Sequence, residues 1–128
     1  MLRPSGSAGA ALQAARQRRF IFLFSEPIVA EVRDVLSRPR ITRKYGVSAD
    51  DVATVTDFMR AVGERIVPDI DIRDCRDPKD NAVLATAVTG SADVIVTTDD
   101  DLLVMHPYRT VTVIPPVTFL RQLAHESQ

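Results

Sequence analysis

The segment Val94-Ile95-Val96 runs straight into Thr97-Thr98-Asp99-Asp100-Asp101. The run is β-branched and apolar on both faces of any strand it forms. A strand buried on both faces belongs to a parallel sheet covered by helices on each side. The flanking pattern agrees. Asp80 to Val88 and Val117 to His125 read as helices, and Val111 to Ile114 reads as a further strand. Upstream, Phe20 to Phe24 reads as a short strand. Ser25 then caps a helix that carries Pro27 in its first turn and Ile28, Val29, Val32, Val35 and Leu36 on one face. Pro39 stops that helix. Ser48 caps the next one, whose buried face is Val52, Val55, Phe58, Met59 and Val62. Ala10 to Arg19 reads as an opening helix, Arg65 to Pro68 as a weak strand, and Gly90 as a left-handed helix terminus. Strands alternating with helices imply an α/β fold.

Composition narrows the function classes. The chain has 128 residues, 45% of them hydrophobic, and a formal net charge of −1. This fits one domain over 1–128 and gives no bulk affinity for nucleic acid. The lone Cys75 rules out an internal disulfide and a cysteine-rich zinc site, and it agrees with a cytoplasmic location. Apolar runs are too short to span a membrane. The basic cluster Arg38, Arg40, Arg43 and Lys44 reads first as a solvated face, and second as a track for a phosphate backbone.

The acidic end of the strand carries the chemistry. Open α/β sheets bind ligands at the carboxyl ends of their strands. Glu31 sits on the helix after the first strand, Asp80 opens the helix before the long strand, and Asp99 and Asp101 follow that strand. Carboxylates converging there would hold a divalent cation and activate water for phosphoryl chemistry. Thr97 would orient a carboxylate, and Asn81 would support Asp80. The plainer reading stands beside this one. Glu31 is then a solvated helix charge, Asp80 caps its helix, Asp99 or Asp101 caps the next one from a solvated acidic turn, Asp77 before Pro78 belongs to a turn, Thr97 only finishes the strand and Asn81 faces solvent.

Three segments in order resemble the PIN-domain family, in its branch of toxin components from toxin–antitoxin systems. They are Leu23 to Val32 around Glu31, Arg76-Asp77-Pro78-Lys79-Asp80-Asn81 with Leu84-Ala85, and Ala92 to Leu103. The resemblance implies a three-layer sandwich with a parallel sheet flanked by helices, and a ribonuclease dependent on Mg²⁺ or Mn²⁺. It makes Glu31, Asp80 and Asp99 metal ligands and Asp101 a fourth, with Ser25 and Thr97 as supporting hydroxyls. It also implies RNA as substrate, an antitoxin protein as partner, and possible pairing as a homodimer.

One departure stands out. The family opens on a strand ending in Asp-Thr-Asn, which sits in the middle of the sheet; Met1-Leu2-Arg3-Pro4-Ser5-Gly6 has no such segment. The PIN-like domain is therefore expected to lack its central first strand. That would leave two half-sheets and a weaker ion site. A start codon placed too far downstream explains this better than a decayed gene. Two functions follow: a metal-dependent ribonuclease, weakened or silent in this form, or a non-catalytic module that binds an antitoxin or RNA. A phosphatase or receiver-like domain is disfavoured, because no lysine and threonine arrangement serves phospho-aspartate chemistry.

Overall fold

A computed structural model describes residues 20–126 and Gln17. The expected helix over 10–19 otherwise lies outside the described residues. Strand β1 (Leu23–Phe24) is shorter than the apolar run around it. Its length is set by its partner, β2 (Glu64–Arg65), which lies parallel to it. Beyond the strand bounds, Glu64 N–H donates to the Phe22 carbonyl at 2.7 Å and Ile66 N–H to that of Phe24 at 2.8 Å.

Helix α1 (Glu26–Leu36) starts with Pro27 in its first turn and buries Val29 and Leu36. Ser25 occupies the expected cap position, but its side chain makes no capping bond. The helix ends at Ser37, before Pro39, which instead opens α2 (Pro39–Tyr45). Gly46 closes α2 at φ 64°, a left-handed conformation that glycine adopts without steric penalty. Helix α3 (Ala49–Val62) starts with a capping box. Ser48 Oγ accepts from Asp51 N–H at 3.1 Å, and the Asp51 carboxylate accepts from Ser48 N–H at 2.8 Å. Arg60 on α3 donates to Glu26 on α1 at 2.8 Å and 3.4 Å, joining the two helices on their exposed side.

After β2 the chain is irregular until a 3₁₀ turn, Pro78–Asp80, leads into α4 (Asn81–Thr89). Strand β3 (Val94–Val96), the short helix α5 (Asp100–Leu103), β4 (Thr112–Ile114) and α6 (Pro116–Glu126) follow. Gly90 is not left-handed as expected: it has φ −84° and ψ 1°, and Ser91 takes the positive φ of 53°. Gly90 serves close packing instead. A Cβ there would lie 2.9 Å from Leu23 Cδ1 and 3.1 Å from Ile66 Cγ1.

The architecture is α/β, with parallel strands flanked by helices. Among the described residues the strands form two separate two-stranded sheets, β1–β2 and β3–β4. The apolar interior is divided in the same way. One cluster gathers Leu84, Ile95, Leu102, Tyr108, Val111 and Val113 around β3 and β4. A second gathers Phe24, Val29 and Met59 around β1. A third, Leu36, Val47 and Val52, lies beneath α1 and α3. Complete burial of the Val94–Val96 run does not hold. Ile95 is buried, but Val96 is 38% exposed, because β3 has a strand neighbour on one flank only among the described residues. No described helix is long and apolar enough to cross a membrane.

Candidate metal centre

The carboxyl end of β3 and the start of α4 meet. One carboxylate oxygen from each of Asp77, Asp80 and Asp101 lies within 4.8 Å of the other two. Local geometry explains the approach of Asp77 to Asp80. Residues three apart eclipse one another in a 3₁₀ turn, and Asp77 caps the turn in which Asp80 stands. The Asp77 carboxylate also accepts from Lys79 N–H at 3.1 Å.

Asp99 supports the same edge. It is the N-cap of α5, and its Oδ1 accepts from Asp101 N–H at 2.9 Å. Thr97 Oγ1 in turn accepts from Asp99 N–H at 3.0 Å. The acidic turn is thus a helix cap and part of an acidic cluster at once.

Asp80 is the most perturbed acid. Its Oδ2 is buried with no hydrogen-bond partner among the described residues. Burial pushes its carboxyl up to about 6, and the Asp99 carboxylate beside it and the charges of Asp77 and Asp101 push the same way. A charged Asp80 there is costly unless a cation lies beside it. The donor set is all oxygen, which suits a hard divalent ion.

The remaining expected residues are placed as follows. Glu31 is exposed on α1, and its carboxylate lies 3.9 Å from Arg38, outside the group of three acids. Asn81 does not contact Asp80 by a hydrogen bond; its Oδ1 accepts from Cys75 N–H at 2.9 Å and pins the irregular segment to α4. Ser25 is fully buried, with its hydroxyl 2.8 Å from that of Thr86. Cys75 Sγ lies 3.5 Å from the Asp101 carbonyl oxygen, and burial pushes the thiol up.

Two residues at this edge were not among the expected set. Asp77 read as a turn residue, although the Asp77–Asp80 spacing within a 3₁₀ turn was a usable signal. Arg76 pairs with Asp101 through Nε. No local pattern announces that contact, since the partners lie on different segments.

The model of the PIN domain family matches residues 1–101 of this chain. Comparison with curated proteins and with solved structures gives no match.

Proposed function

Because the chain belongs to the PIN-domain family, whose members are generally nucleases, we propose that it is a divalent-metal-dependent ribonuclease of the toxin type. The carrying observation is Asp80: a buried carboxylate oxygen without a partner, set among three further acids. Asp77, Asp80 and Asp101 would hold Mg²⁺ or Mn²⁺. Such an ion lowers the pKa of a bound water and offsets charge on a phosphoryl group.

The protein's own residues prepare that edge. Thr97 fixes the backbone of Asp99, and Asp99 fixes the start of the helix that carries Asp101. Glu31 stays with Arg38 in this reading. In keeping with the toxin type, we propose an antitoxin protein as partner and the cytoplasm as the place of action.

The test is cleavage of a labelled single-stranded RNA in Mg²⁺ or Mn²⁺ by wild type, Asp80→Asn and Asp99→Asn. Wild type should cut, EDTA should stop it, and both variants should lose at least about tenfold in rate. Intact RNA in every arm, with Mn²⁺ binding retained by calorimetry, would instead support a non-catalytic RNA- or antitoxin-binding module.

A further inference from the structure

Arg76 stands at the acidic edge with most of its donors unused. Its side chain is 61% exposed, against 34% for its partner Asp101. The pair is made through Nε alone, so both terminal nitrogens are without a hydrogen bond among the described residues. A guanidinium is a planar fork that suits carboxylate and phosphate oxygens equally well. Anchored by Nε to Asp101, this fork leaves its terminal donors for an anion that comes to the same edge. The neighbouring Cys75 N–H is already taken by Asn81, and Lys79 lies on the far side of the Asp77 turn in sequence. Arg76 is therefore the cation paired directly into the acidic group.

Resting on the nuclease reading above, we infer that Arg76 is a substrate-positioning residue that binds a phosphate of single-stranded nucleic acid beside the metal centre, with Asp101 holding its guanidinium in place. The pair has a second consequence. Arg76 neutralises part of the charge that a divalent cation would use, so it weakens metal binding while it strengthens nucleic-acid binding. A purely structural role predicts something else: its loss would weaken both.

The experiment uses the full chain as wild type, Arg76→Gln and Arg76→Lys. Mn²⁺ binding is read by calorimetry. Binding of a labelled mixed-sequence single-stranded RNA is read by anisotropy in EDTA and in Ca²⁺, across a salt series. Arg76→Gln should bind RNA roughly five- to tenfold more weakly, with a salt slope shallower by about 0.7, the value for one phosphate contact on a single strand. It should bind Mn²⁺ roughly threefold or more tightly, because one positive charge has left the cluster. Arg76→Lys should recover most of the salt slope and only part of the affinity, since it keeps the charge and loses the fork. If wild type binds both Mn²⁺ and RNA and Arg76→Gln matches it in RNA affinity and slope, the assignment of Arg76 is overturned and the nuclease reading survives. If wild type binds neither, both are overturned.

Discussion

The hydroxyls of Ser25 and Thr86 lie 2.8 Å apart in the interior, joining the residue after β1 to helix α4 across the division between the two sheets. Thr86 Oγ1 is also 2.7 Å from the Ala82 carbonyl, which can only accept. The single Thr86 proton satisfies that carbonyl when Ser25 donates to Thr86. Removing each partner then has a different cost. Ser25→Ala leaves Thr86 bonded to Ala82 and should cost about 0.5–1.5 kcal/mol. Thr86→Val strands a buried Ser25 hydroxyl and should cost about 1–3 kcal/mol. The double variant should cost less than the two combined. Urea denaturation of the three variants measures this, and strict additivity would rule out a shared bond.

Asp80 makes stability depend on pH. Its ordinary value is 3.8, and in the fold it is raised to about 6. The folded state therefore holds a proton that the unfolded chain has already released. The contribution is full below about pH 4 and is lost as pH rises through about 6. The metal-free melting temperature should fall across that window. Asp80→Asn should flatten the fall, and Mn²⁺ should raise the melting temperature of wild type above pH 6 but not that of Asp80→Asn. Equal pH profiles for wild type and variant would count against the buried carboxyl.

Gly63 is packed too closely for a side chain. A Cβ there would lie 2.6 Å from Phe24 Cδ1, 2.7 Å from Phe22 Cδ1 and 2.8 Å from the Met59 carbonyl oxygen. The rings could shift, but the carbonyl is fixed by α3. Gly63→Ala should cost about 1–3 kcal/mol and lower the midpoint of urea unfolding. An unchanged midpoint would show that β1 and α3 separate more easily than their packing indicates.

His106 guards an edge. Its Nδ1 accepts from Val113 N–H at 2.9 Å, on strand β4. That backbone donor belongs to a buried residue and would otherwise go unpaired. His106→Leu should cost about 1–3 kcal/mol, whereas His106→Asn, which keeps an acceptor, should cost less. Amide exchange at Val113 reports the bond directly: it should accelerate in the leucine variant and less so in the asparagine one.

A feature is legible in this sequence where its cause is local. The β3 run and its acidic end were readable because both lie in consecutive residues. The Ser48–Asp51 cap was readable for the same reason. The apolar run Phe20 to Phe24 reads as strand throughout, but a strand lasts only as long as its partner: β2 has two residues, and only Leu23 and Phe24 pair with it. Gly90 looked like a turn glycine, yet Leu23 and Ile66, distant in sequence, set its requirement. At the candidate site, Asp80, Asp99 and Asp101 come from segments adjacent to β3, so their meeting was foreseeable. Glu31 stands outside the group of three acids, exposed beside Arg38, in line with the plainer reading of it as a solvated helix charge. Arg76 to Asp101 is a contact between segments, with no periodicity to reveal it.

The divided interior bears on how the molecule breathes. Asp77, Asp80, Asp99 and Asp101 all flank the larger cluster, whereas Glu31 rides on the smaller ones. Cooperative opening units tend to follow such boundaries. Transient loosening of β1, β2 and α3 would leave the four aspartates in register with one another. The acidic edge is thus carried by one half of the chain, and the other half reaches it through the Ser25 hydroxyl and the packing of Leu23 and Ile66 against Gly90.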